Sequence, residues 1–131
     1  MAVNDNLKKD DMILIVDDDK TVRDFLQKYL NQKGFAQVIS VGSGEEAVNK
    51  VKTEDIKLVF LDVKMPGLTG IDVLRQIKKI KKDTGVIMIT GYPEEEVTQE
   101  AIKEGAYDYI IKPFDLAYLE LSLLSKIAMM K

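Results

Sequence analysis

From residue 12 to the C-terminus the chain alternates, without interruption, between short apolar runs and stretches with helical spacing. The runs 12–16, 37–41, 58–61, 86–89 and 107–111 read as strands. The first is followed by Val22, Phe25, Leu26, Tyr29 and Leu30 at the spacing of one helix face over 21–33, and Gly34 then stops that helix as a left-handed cap. Ser43 with Glu46 three residues later forms a capping box for a second helix. Gly67 and Gly70 bracket a loop, and Val73, Leu74 and Ile77 mark a third helix. Pro93 and three glutamates open a fourth, the acids standing where the helix dipole favours them. Asp115 caps a last helix running to the C-terminus. Strict strand–helix alternation implies a parallel sheet covered on both faces. The runs ILIV, LVF and VIMI are apolar without a break, as strands buried on both sides should be. The expectation is one α/β domain over 12–131, a doubly wound five-stranded parallel sheet with five helices. The polar, aperiodic residues 1–11 read as a flexible leader.

Composition narrows the chemistry. A chain of 131 residues suits one domain, and 46% hydrophobic residues supply a core. The formal net charge of −3 gives no general attraction to nucleic acid or an anionic membrane. There is no cysteine and no histidine. Disulfides, thiolate sites, His-ligated zinc and Ser-His-Asp catalysis are therefore excluded. No signal peptide or membrane-length apolar run is visible, so a cytoplasmic location is expected.

The strand ends carry the informative polar residues. ILIVDDDK places Asp17, Asp18 and Asp19 directly after the first strand. Two carboxylates ~4 Å apart repel by ~1 kcal/mol in water and ~4 kcal/mol at an effective dielectric of 20. Asp19 is accounted for as the N-cap of the first helix. The third strand ends on Asp62, the fourth on Thr90 and the fifth on Lys112. Open α/β sheets bind ligands outside the carboxyl ends of their strands. If these ends are neighbours, they gather carboxylates, a hydroxyl and an amine on one edge. Oxygen ligands of this kind suit Mg²⁺ beside a phosphate, and a divalent ion would relieve the repulsion. Asp62 is then a candidate nucleophile, with Lys112 and Thr90 placed to bind phosphoryl oxygens.

The segments ILIVDDD, VFLDVKMPGLTGIDVL, VIMITGY and GAYDYIIKPF together resemble the receiver domain of bacterial two-component response regulators, over about residues 12 to 128. The resemblance implies the flavodoxin-like strand order 2-1-3-4-5. It implies that Asp62 accepts a phosphoryl group from a phosphohistidine on a sensor histidine kinase. Asp18 would ligate Mg²⁺ directly, Asp17 through water, and the backbone carbonyl of Lys64 would join Asp62 in completing the protein ligands. Thr90, Lys112 and the amide of Gly91 would bind the phosphoryl group. Thr90 would draw its loop inward and let Tyr109 swing from exposed to buried, and the Lys112–Pro113 bond would be cis. Lys64 and Tyr92 occupy positions that vary in the family and influence acyl-phosphate lifetime. Such a protein is a switch that assists its own phosphorylation and dephosphorylation, not a turnover enzyme. Its partners would be the kinase and a downstream protein or output domain. A homodimer could form through the face of the fourth helix, fifth strand and fifth helix.

Several features invite a simpler reading. KKIKKD, over 78–83, is a solvated helix end with cations suited to the dipole. VGSGEEA lacks the Lys-Ser or Lys-Thr of a phosphate loop, and Ser43 as a cap explains it. In the last helix Leu116, Leu119, Leu123 and Ile127 form one stripe and Leu121, Leu124 and Ala128 another. The second stripe either widens the core face or meets a partner. The chain ends after that helix, which is expected of a stand-alone receiver or of a piece of a longer regulator. A Mg²⁺-dependent phosphohydrolase with an aspartyl-phosphate intermediate is the competing class. It wants Asp-x-Asp after the first strand and a cap domain; only Asp17 and Asp19 have that spacing. A docking-only receiver is the third class, and the five competent site positions argue against it.

Overall fold

Each strand alternates its side chains between two apolar layers, and that alternation builds the core. The computed structural model describes residues 7–65, 67–91, 94–112 and 118. Among these, β1 (Met12–Val16), β2 (Val38–Val41), β3 (Ile56–Asp62), β4 (Gly85–Thr90) and β5 (Asp108–Ile111) alternate with α1 (Lys20–Gln32), α2 (Gly44–Thr53), α3 (Gly70–Ile80) and α4 (Glu95–Lys103). The sheet is parallel throughout, in the order β2-β1-β3-β4-β5. Leu14, Val16, Val59, Leu61, Val86 and Met88 face the layer formed with α2, α3 and α4. Ile13, Ile15, Leu58, Phe60, Ile87, Ile89 and Ile110 face the layer that contains Leu26 and Leu30 of α1. Side chains that alternate into apolar layers on both sides explain why these strands read as unbroken apolar runs.

The helix boundaries follow their caps. Asp19 accepts from the Thr21 amide at 2.9 Å, and Ser43 accepts from the Glu46 amide at 3.2 Å. Thr69 caps α3 by accepting from Asp72 at 3.3 Å. Glu94 caps α4 without a side-chain hydrogen bond, and Glu95 and Glu96 stand in the first turn, where the dipole favours acids. After α1, Gly34 has φ 98°. The amides of Gly34 and Phe35 return to the carbonyls of Asn31 and Leu30 at 3.0 and 3.1 Å, closing a Schellman motif. Lys78 folds its ammonium onto the carbonyls of Thr84 and Lys82, at 2.7 and 3.2 Å, which fits the helix-end role read for KKIKKD.

Two expectations need adjustment. The described residues hold four helices rather than five. The expected fifth, with its Asp115 cap and both leucine stripes, lies outside the described residues, as do Pro93, Tyr92 and the Lys112–Pro113 bond. The second concerns the leader, of which residues 7–11 are fastened to the domain. Leu7 is 4% exposed and belongs to the core layer of Phe35 and Val38. The Lys9 ammonium stands 4.7 Å from the Phe35 ring centroid and donates to the Lys33 carbonyl at the end of α1. Gln37 donates to the Asp10 carbonyl at 2.9 Å. A single apolar residue among polar ones has no periodicity to reveal it.

Leu7→Ala should therefore lower the unfolding free energy by about 2–3 kcal/mol in urea titrations, as truncation of a buried leucine does. A loss below about 0.5 kcal/mol would show that Leu7 contributes little to the core.

Candidate functional site

The carboxyl ends of β1 and β3 lie side by side because Val16 pairs with Leu61, so that Asp17 and Asp62 are the next residues on adjacent chains. This is also where the strand order reverses, the place where open sheets leave a crevice. The crevice has a volume of about 490 Å³ and is lined by Asp17, Asp18, Asp19, Asp62, Lys64, Thr90, Gly91 and Lys112. Every residue proposed from sequence for phosphoryl or metal contact is therefore on one surface. Tyr109 stands apart. It lies on β5, paired in register with Met88. Its ring packs against the α2–α4 layer, and its buried hydroxyl has no hydrogen-bond partner among the described residues.

Asp17 is fully buried, Thr90 is 1% exposed and Asp62 4% exposed, whereas Asp18 is open to solvent. Burying a carboxylate requires compensation. Asp17 Oδ1 accepts the Asp19 amide at 2.9 Å, and Oδ2 meets Lys112 Nζ at 2.8 Å. The same ammonium stands 3.7 Å from Asp62 Oδ1, which also accepts the Lys64 amide at 3.4 Å. Lys112 is itself placed by its amide, which donates to the Thr90 carbonyl at 2.7 Å and ties the end of β5 to the end of β4. At the rim the Lys64 ammonium pairs with Glu94 at 3.2 Å, both side chains more than half exposed. Such a pair contributes little to stability.

One carboxylate oxygen from each of Asp17, Asp18 and Asp62 lies within 4.8 Å of the other two. One ammonium cannot neutralise three carboxylates. Asp62 shows the consequence: its pKa is raised from 3.8 to about 6, first by burial, then by the charge of Asp17 and more weakly of Asp18, against the opposing pull of Lys112 and the Lys64 amide. Burial lowers the Lys112 ammonium, but the hydrogen bond to Asp17 and the charges of Asp62, Asp17 and Asp19 outweigh it and raise its pKa overall. A crowded, hard-oxygen donor set that is short of positive charge fits a divalent cation.

The residue pattern gives no sign of the role of Arg23, and marks Gly70 only as one end of a loop. Arg23, in the first turn of α1, donates from Nη1 to the Asp17 carbonyl at 2.7 Å. Gly70 opens α3 directly against the end of β3: a Cβ there would lie 2.4 Å from the Asp62 carbonyl oxygen and 2.7 Å from Val63 Cα. Both act on backbone atoms, which leave no residue pattern. An arginine four residues after a helix cap was the only available hint for the first.

The chain belongs to the response regulator receiver domain family, which it matches over residues 13–123. It is 38% identical over 104 residues to sporulation initiation phosphotransferase F of Bacillus subtilis, covering 79% of this chain and 83% of that protein. It is 40% identical over 102 residues to the transcriptional regulatory protein ResD of the same organism, covering 78% of this chain but only 42% of ResD. Among solved structures, it resembles a CheY-like response regulator receiver domain protein from Methanospirillum hungatei with a TM-score of 0.86 and 30% identity, covering 92% of this chain and 96% of that one. It also resembles a chain of the CheX-CheY-BeF3-Mg²⁺ complex from Borrelia burgdorferi, with a TM-score of 0.83 and 33% identity over 88% and 87% of the two chains. Receiver domains are signalling switches, and the implied sheet order is the one observed. Among the described residues no helix is long and apolar enough to cross a membrane.

The raised Asp62 pKa has a sign that can be checked. Between 3.8 and about 6 the folded chain holds the Asp62 proton more tightly than the unfolded chain does. The resulting stabilisation is complete below the lower value and is lost as pH rises through the upper one. In chelator, Asp62→Asn should therefore be more stable than wild type above pH 6, by about 1 kcal/mol once screening in an open cleft is allowed for. The difference should shrink toward pH 4. Urea unfolding across that range reads it, and a pH-independent difference would contradict the assignment.

Proposed function

We propose that this chain is a phosphoacceptor switch of a two-component system, and that Asp62 takes the phosphoryl group. The observation that carries the reading is the Asp17–Asp18–Asp62 cluster beside Lys112 at the carboxyl edge of the sheet, in a member of the receiver family. Asp17, Asp18, Asp62 and the Lys64 carbonyl would hold Mg²⁺, which supplies charge neutralisation between carboxylates and phosphoryl oxygens. An ionised Asp62 oxygen attacks phosphorus of a phosphohistidine on a sensor kinase. The P–O bond forms as the P–N bond breaks, and the electron pair leaves on the imidazole nitrogen. Near pH 7 a group with a pKa of about 6 is largely ionised and ready to attack. The Lys112 ammonium and Thr90 hydroxyl, with the Gly91 amide, bind the transferred oxygens. Loss of Lys112 from its pairing with Asp17 is the local change that phosphorylation imposes. Movement at Thr90 and Tyr109 carries that change to a downstream protein or an output domain. No direct nucleic-acid contact is part of this cytoplasmic role. The chain spans less than half of ResD.

Intact-protein mass after incubation with MgCl₂ and acetyl phosphate tests the proposal. One added phosphoryl group is expected, absent in Asp62→Asn and blocked by chelator. No gain in wild type would contradict the acceptor role. Continuous phosphate release over many turnovers would favour a phosphohydrolase instead.

A further inference from the structure

Asp18 presents a problem that its neighbours do not. It is the exposed member of the carboxylate cluster, yet its oxygen must hold a place within 4.8 Å of buried Asp17 and Asp62. A solvent-exposed aspartate on a free turn would sample many orientations and lose that freedom on binding a cation.

The backbone on both sides of Asp18 is held by specific donors. Peptide groups are planar, so the Asp17 carbonyl lies in one plane with the Asp18 nitrogen and Cα. Arg23 Nη1 donates to that carbonyl at 2.7 Å. On the other side, the peptide joining Asp18 to Asp19 is held by its N–H, which donates to Asp17 Oδ1 at 2.9 Å. The preceding peptide is anchored by the Asp17 amide on the Val41 carbonyl at 3.2 Å. Asp18 thus projects from two fixed planes, one of them set by a side chain from α1.

Space for that side chain is kept by the turn after β2. A Cβ on Gly42 would stand 3.2 Å from Arg23 Nη1 and 3.8 Å from its Cζ. Gly42 is not among the glycines with positive φ. Its conformation does not demand glycine, but a side chain there would press on the guanidinium, which would have to give by a few tenths of an ångström. Arg23, partly buried, is therefore bonded to the turn after β1 and sits close against the turn after β2.

We infer that Arg23 is a positioning residue for the divalent cation, fixing Asp18 through the Asp17 carbonyl, with Gly42 as the clearance that lets it do so. The inference rests on the divalent-ion reading of the cluster given above. Hydrogen bonds that orient a ligand from outside the coordination sphere are worth about 10- to 100-fold in metal affinity. One hydrogen bond to the backbone belongs at the low end of that range.

Calorimetric titration of the full chain with MgCl₂ tests the inference, with thermal melts run beside it. Wild type should bind and Asp18→Asn should not. Arg23→Ala should weaken Mg²⁺ binding about tenfold at a temperature where its melt shows it folded. Arg23→Lys, which keeps a donor on a shorter arm, should recover part of the loss. Gly42→Ala, which crowds the guanidinium without removing it, should weaken binding in the same direction. An affinity within about twofold of wild type in folded Arg23→Ala, or in Gly42→Ala where Arg23→Ala does not fold, would overturn the positioning role and leave the metal reading intact. Failure of wild type itself to bind Mg²⁺ would overturn the metal reading, and this inference with it.

Discussion

The ammonium of Lys112, 2.8 Å from Asp17 and 3.7 Å from Asp62, is the interaction on which the carboxyl edge of the sheet depends. Asp17 is wholly buried, and a buried carboxylate without a cation would be expelled or protonated. Yet one ammonium among three carboxylates leaves the edge short of positive charge. The domain folds around a site whose electrostatics are deliberately incomplete, and the raised Asp62 pKa records the deficit. A divalent cation would supply what is missing, and in the proposed function an incoming phosphoryl group would compete for Lys112.

The fold exists, in this sense, to hold that imbalance in place. Parallel strands bring their carboxyl ends to one edge, and the reversal at β1 and β3 opens the crevice between departing helices. Gly70 lets α3 start against the backbone of Asp62 and Val63, and its amide bonds the Val63 carbonyl at 2.9 Å. The bond from the Lys112 amide to Thr90 joins the two strands that carry the hydroxyl and the ammonium. Arg23 does for β1 what Gly70 does for β3, settling the backbone from which a carboxylate projects.

Much of this was legible in the residues, and the exceptions share a cause. The unbroken apolar runs and the Ser43 and Asp19 caps located strands and helices because burial and capping act on residue type. β3 was read short, as 58–61, because Lys57 interrupts its apolar run, whereas pairing begins at Ile56. The individual carboxylates could be singled out, but their convergence could not, since it depends on which strands are adjacent; that order came from the family resemblance. The structural roles of Arg23, Gly70 and Leu7 are illegible for one reason. Each acts through a single contact, to a carbonyl, a backbone or one apolar layer, and a single contact has no period.

The most direct test of this account is the ionisation of Asp62 itself, followed by carboxyl-carbon NMR as pH is varied, in chelator and then with saturating MgCl₂. The account predicts a midpoint near 6 without the cation and a midpoint at least one unit lower with it. An ordinary aspartate midpoint in chelator, unmoved by Mg²⁺, would show that the three carboxylates are neither crowded nor waiting for a cation.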